Sequence, residues 1–150
     1  MKRTERVGAI IKILSENPNR LYSLSYFCDL FQAAKSSVSE DIQTARQILE
    51  SLDLGLIETV AGASGGVKLI PYISDQAAEK VLSHVCEKLQ DKSRILGNGF
   101  LYTSDLMFDS NITKRAGEIF ARRFCNLGAD YVVTIETKGI PVALMTAHML

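Results

Sequence analysis

Residues 36–71 read SSVSEDIQTARQILESLDLGLIETVAGASGGVKLIP, and a change of period inside this stretch decides the fold. Val38, Ile42, Ala45, Leu49 and Leu52 recur at helical spacing and form one apolar stripe. Ser37, followed three residues later by Glu40, has the form of a capping box and predicts a helix that opens at the serines. Gly55 is its stop signal. The repeat then shortens. LIETV (56–60) and VKLI (67–70) are β-branched runs joined by AGASGG (61–66), which predicts a hairpin with a small, flexible tip, and Pro71 ends the second strand.

Two helices precede this stretch. Residues 4–16 carry Val7, Ile10, Ile11 and Leu14 on one face, and SENPNR (15–20) ends the helix because Pro18 cannot continue it. SLSYFCDLF (23–31) follows, with Ser23 as N-cap and Leu24, Phe27, Cys28 and Phe31 on one side. QAAK (32–35) is the connector. Three helices and a two-stranded hairpin make the winged helix-turn-helix pattern.

In that arrangement the third helix lies in the major groove of DNA, with its N-terminal residues at base edges. Lys35, Ser36, Ser37 and Ser39 supply donors there, beside the helix's own free N–H groups. Gln43, Thr44, Arg46 and Gln47 are expected on the outward face and include base-reading types. Gly65 and Gly66 belong to the wing tip, Lys68 sits just beyond it, and Lys2, Arg3 and Arg6 are candidates for phosphate contact near the first helix. A second reading fits the same residues. Ser, Gln and Thr on a helix also describe an ordinary solvated surface. Through Ser74 the chain carries 8 Lys plus Arg and 8 Asp plus Glu, and Glu40 and Asp41 near the reading end would repel phosphate unless turned away. DNA binding, protein contact and a plain structural unit all remain open on pattern alone.

After the hairpin, residues 73–94 predict an amphipathic helix with Ala78, Val81, Leu82, Val85 and Leu89 inward. ILGNGFLY (95–102) predicts a turn and a short strand. Residues 110–128 predict a helix with Ile112, Ala116, Ile119, Phe120 and Phe124 along one side, closed by Gly128. DYVVTIETKGIPVALMTAHML (130–150) predicts a buried strand over 131–135, a tight loop over 138–141 and a helix from Pro141. Ligands bind at such strand-to-helix loops in parallel sheets. Lys138 and the amides around Gly139 could hold an anion, with Gly139 allowing close approach or positive φ, although ordinary turn chemistry explains the same residues.

Several classes fall away on composition. Lys plus Arg and Asp plus Glu are 17 each, a zero net charge that neither supports nor vetoes a polyanionic partner. Cys28, Cys86 and Cys125 are odd in number and lack C-x-x-C spacing, so they are expected as reduced, packed thiols rather than a disulfide framework or zinc site. His84 and His148 have no partner at ligand spacing, and Asp105 and Asp109 read as a solvated edge rather than a catalytic dyad. No nucleophile elbow, P-loop or G-x-G-x-x-G is present. No catalytic set and no metal site are expected. No signal-like or membrane-spanning run is found, so a cytoplasmic protein is expected.

AAKSSVSEDI (33–42), GASGGVKLIP (62–71), GNGFLYTSDL (97–106) and VVTIETKGIPVA (132–143), in that order, resemble the purine operon regulator family of Gram-positive bacteria over the whole 150 residues. The resemblance implies a winged-helix DNA-binding domain over 1–73. Residues 74–150 would be the first part of a type I phosphoribosyltransferase-like, Rossmann-like α/β domain. It implies a transcriptional regulator of purine biosynthesis and transport genes, not an enzyme, acting as a homodimer on double-stranded operator DNA; members repress or activate. The second domain in such regulators senses phosphoribosyl pyrophosphate (PRPP). By residue, it places Lys35, Ser36, Ser37 and Ser39 at the start of the recognition helix and Gly62 to Lys68 in the wing. Thr137, Lys138 and Gly139 fall in the loop facing the pyrophosphate. The acidic PRPP motif of the family, which ends in Gly-Gly-Thr, is absent here, so the chain reads as a shortened one with no cofactor and poor PRPP binding. A phosphoribosyltransferase with an appended winged helix and a protein-contact module are the alternatives.

Overall fold

The computed structural model describes residues 1–62 and 64–150; Ala63, in the predicted wing, lies outside the described residues. The chain divides into two compact units, residues 1–72 and 73–150.

The first unit runs α1 (Arg3–Glu16), α2 (Leu24–Phe31), α3 (Lys35–Ser51), β1 (Leu56–Val60) and β2 (Gly66–Ile70). The strands pair antiparallel, with Leu56 opposite Ile70 and Val60 opposite Gly66. The other edge of β2 is also used: Tyr22 and Val67 exchange backbone hydrogen bonds of 2.9 and 2.8 Å, and the Asn19 N–H donates to the Leu69 carbonyl at 2.8 Å. Ile10, Leu14, Phe27, Val38, Ala45 and Val67 are buried in one core to which all three helices and the hairpin contribute. The helical stripes read from the sequence are the faces that close this core. Leu52 is the exception: α3 stops at Ser51, and Leu52 stays exposed as its C-cap.

The start of α3 differs from the capping-box expectation. Gln32 takes a left-handed conformation (φ 51°, ψ 48°) that ends α2, and the N–H groups of Gln32 and Ala33 both donate to the Cys28 carbonyl. This sharp turn lets α3 begin at Lys35, with Ala34 as N-cap and no side chain capping it. Ser37 is therefore inside the first turn and caps nothing.

The second unit holds α4 (Asp75–Leu89), a short α5 (Ser104–Met107), α6 (Ser110–Phe124) and α7 (Ile140–Met149), with 3₁₀ turns at 92–94, 97–99 and 125–127. Ser74 caps α4 by accepting from the Ala77 N–H at 3.2 Å, and Asp109 caps α6 by accepting from Asn111 and Ile112. Asp105 receives two hydrogen bonds from Arg94, at 2.7 and 2.8 Å, which hold its carboxyl below the ordinary value. Both acids of the TSDLMFD stretch are thus committed to structure.

Four expectations fail in this unit. Residues 131–135 form no strand and pair with none among the described residues, and Tyr131, Val133 and Ile135 are more than four-fifths exposed. A buried strand needs neighbours for its N–H and C=O groups, and residues 73–150 supply none. Residues 95–102 form only a single Ile95–Leu101 bridge. The buried face of α6 is Thr113, Gly117, Glu118 and Ala121, not the larger apolar stripe. Gly117 explains the choice: a Cβ there would lie 2.8 Å from the Met145 backbone, so its absence lets α7 approach closely. The stripe of Ile112, Ala116, Ile119, Phe120 and Phe124 instead lines, with Val81, Leu82 and Val85, an open apolar groove of about 710 Å³. All three thiols are free; Cys28 is half-buried and packs against the core of the first unit as expected, whereas Cys86 and Cys125 are exposed rather than packed.

Candidate nucleic-acid interface

The N-terminal turn of α3 presents its backbone N–H groups without an acceptor. In any helix the first four N–H groups lack an intrahelical partner, and here no side chain caps them. Lys35, Ser36 and Ser39 are exposed around this end, and Ser37 is half-buried. No carboxylate pairs with Lys35 among the described residues. Free N–H groups, the positive end of the helix dipole and an ammonium group together favour an anion.

The two acids near this end part company. Glu40 is exposed. Asp41 is 1% exposed: its Oδ2 accepts from Arg6 Nε at 2.6 Å, and its Oδ1 lies 3.5 Å from Arg3 Nε. Its charge is turned inward and balanced by cations of α1, which removes one source of repulsion from the reading end. The same geometry commits Arg6 to structure, its guanidinium donating to Asp41 and to the Met1 carbonyl. Arg3 stays exposed but also donates to Thr44 Oγ1 at 3.1 Å. Lys2 is exposed and caps α1 through its backbone N–H, which donates to Glu5. Thr44 faces α1 and donates to the Glu40 carbonyl rather than pointing outward.

Arg46 does not point outward either. It donates to the Ile57 carbonyl at 3.0 Å and to Thr59 Oγ1 at 2.7 Å, tying α3 to β1, and its third contact is Gln43 Oε1 at 2.6 Å. Gln43 and Gln47 are exposed. In the wing, Lys68 pairs across the strands with Glu58 at 3.1 Å. Gly66 is buried, and a Cβ on it would run into the Tyr22 carbonyl. It is needed so that Tyr22 can reach the edge of β2. Gly65 is half-buried and closes the tip by donating to the Gly62 carbonyl at 3.0 Å.

The sequence reading missed Arg20. Its guanidinium sits 5.2 Å over the Tyr22 ring. With Tyr22, Tyr26, Ser64 and Gly65 it lines a recess of about 340 Å³ beside the wing tip. Arg20 falls in a loop with no period to mark it; its only signal is a cation two residues before Tyr22, just ahead of the Ser23 N-cap.

In the second unit, residues 134–139 enclose a recess of about 510 Å³. Lys138 Nζ reaches Thr103 Oγ1 at 3.4 Å, Thr137 is exposed, and the Glu136–Thr137 peptide is cis. Gly139 has φ −76°, so positive φ does not explain it. A Cβ there would collide with the Thr134 hydroxyl, so the loop's own closeness requires the glycine. Glu136 lines the same recess as Lys138.

Residues 2–71 match the family described as bacterial purine repressor, N-terminal. The chain is 39% identical over 150 residues to a probable purine biosynthesis transcriptional regulator of Streptococcus pneumoniae serotype 4, covering 100% of this chain and 54% of the relative. It is 34% identical over 149 residues to a purine biosynthesis transcriptional repressor of Bacillus subtilis, covering 99% of this chain and 52% of the relative. A shorter match, 33% identical over 76 residues, is to a xanthine phosphoribosyltransferase of Moorella thermoacetica and covers 49% of this chain and 39% of that enzyme. The chain spans about half the length of the curated regulators it matches. Among the described residues no helix is long and apolar enough to cross a membrane.

Proposed function

We propose that this chain binds double-stranded operator DNA and regulates transcription of purine biosynthesis and transport genes, a reading supported by the match of residues 2–71 to the family described as bacterial purine repressor, N-terminal. One observation carries the reading: the uncapped first turn of α3 presents Lys35, Ser36 and Ser39, while the adjacent Asp41 carboxylate is buried on Arg6. A helix start of this kind meets phosphate through its N–H groups and base edges through the side chains just beyond. Gln43 is the base-reading candidate, and the wing tip with Arg20 is a second point of backbone contact. Lys35 and Arg20 supply local positive charge on a neutral chain. A homodimer doubles it and sets two recognition helices on half-sites about one helical turn, or a multiple, apart.

The second unit is read as the first part of a phosphoribosyltransferase-like effector domain, without enzymatic activity and without a cofactor. Thr137, Lys138 and Gly139 form its pyrophosphate loop. One lysine and a few exposed amides offer contacts of about 1–3 kcal/mol each, against an association cost of at least about 4 kcal/mol. PRPP affinity of these 150 residues is therefore millimolar or weaker. The protein is read as cytoplasmic, in keeping with a DNA partner.

The test is a gel shift at low salt with duplexes taken from upstream of purine-synthesis genes, against shuffled duplexes of equal composition. Retention of the upstream duplexes alone is expected. Equal retention of both refutes operator recognition, and retention of neither refutes DNA binding. Sedimentation at micromolar concentration with the retained duplex tests the dimer; a monomer in both free and bound samples refutes it.

A further inference from the structure

Gln43 is exposed on α3, and its Oε1 lies 2.6 Å from a terminal nitrogen of Arg46. A guanidinium carries donors only. The amide atom that faces it is therefore the carbonyl oxygen, because the reversed amide would set donor against donor. Arg46 is not free to swing aside: Nε is held by the Ile57 carbonyl at 3.0 Å and the other terminal nitrogen by Thr59 Oγ1 at 2.7 Å. The Gln43 carbonyl is thus turned back along α3 toward Arg46, and the Nε2 amino group is the end left for a ligand.

This changes what Gln43 can read. The usual glutamine–adenine pair uses both ends of the amide, accepting from N6 and donating to N7. With the carbonyl held by Arg46, adenine offers the amino group one acceptor and leaves its own N6 donor unmatched. Guanine offers two acceptors, O6 and N7, to the same amino group, and cytosine offers a donor that meets a donor. We infer that Arg46 is a positioning residue that makes Gln43 a donor-only reader, selecting guanine over adenine at the base it faces. The inference rests on the DNA-binding reading above.

The experiment is selection of bound duplexes from a randomised library by the 150-residue chain and by its Gln43→Ala, Gln43→Glu and Arg46→Met variants, with circular dichroism of each as a check on folding. The unaltered chain is expected to enrich guanine at a position whose preference Gln43→Ala abolishes. Arg46→Met releases the carbonyl, and adenine should gain on guanine at that position by about fivefold or more. Gln43→Glu presents acceptors only, so cytosine should replace guanine there. Adenine in the unaltered chain overturns the inference, as does an unchanged preference in a folded Arg46→Met protein. Should Arg46→Met fail to fold, guanine persisting in Gln43→Glu overturns it alone. Enrichment that Gln43→Ala leaves untouched refutes the role of Gln43 but not DNA binding. No enrichment by the unaltered chain refutes both.

Discussion

Replacing Asp41 with alanine should loosen α3 against α1. The Asp41 side chain is 1% exposed and that of Arg6 is 15% exposed, with 2.6 Å between Nε and Oδ2. Removing one partner of a buried ion pair costs about 3–5 kcal/mol when the charge left behind stays buried. Arg6 keeps its 3.0 Å hydrogen bond to the Met1 carbonyl and some access to water. The expected cost is accordingly lower, about 2–4 kcal/mol. Native-state hydrogen exchange on the whole chain reads this locally, through the amides of Ile42, Ala45 and Leu49. At 1.4 kcal/mol per tenfold, protection should fall by about 30- to 1000-fold. Asp41→Asn keeps an acceptor and should cost less. The Arg6→Ala, Asp41→Ala double variant should cost less than the sum of the singles, because neither charge is then left unpaired. A loss of protection under about threefold in Asp41→Ala, or simple additivity in the double variant, would refute the claim that α1 neutralises the acid.

Lys35→Ala should weaken binding to every duplex and reduce the slope of log affinity against log salt by about one, measured by fluorescence anisotropy across a salt series. Gly117→Ala should destabilise the second unit even though alanine is the better helix former by about 1 kcal/mol. The added Cβ would lie 2.8 Å from Met145, and overpacking of this kind costs about 1–3 kcal/mol; exchange of the α7 amides measures it. The Arg94 hydrogen bonds depress the Asp105 carboxyl, so the unfolded state takes up a proton first as pH falls. Order in residues 94–105 should therefore be held above the ordinary carboxylate value of about 3.9 and fade below it. Protection of the Tyr102 amide, which donates to the Arg94 carbonyl, should fall with acid, and Asp105→Asn should flatten that dependence.

In the first unit the sequence alone determined the order of elements and the core. Val38, Ile42, Ala45 and Leu49 bury because their spacing puts them on one side of any helix they form, whatever lies opposite. The β-branched runs around a Gly-rich tip likewise specify a hairpin by local chemistry. AAKSSVSEDI and GASGGVKLIP, the two strings of the family resemblance that fall in this unit, are legible for the same reason: each is contiguous.

What the tertiary structure decided is where the charges go. Asp41 and Lys35 look equally available on paper, and only a partner 35 positions away turns the acid inward and leaves the lysine outside. Arg46 and Arg6 read as phosphate or base contacts until β1 and Asp41 claim them. Gly66 read as a tip residue until Tyr22 arrived against it. In the second unit the larger apolar stripe of α6 misled, because Gly117 fits the close approach of α7 and bulk does not. The 131–135 run was a strand by propensity, but a strand exists only where another strand completes its hydrogen bonds. Periodicity reports which side of an element is apolar; which groups meet across the fold depends on residues far apart in the chain, and that is settled only by packing.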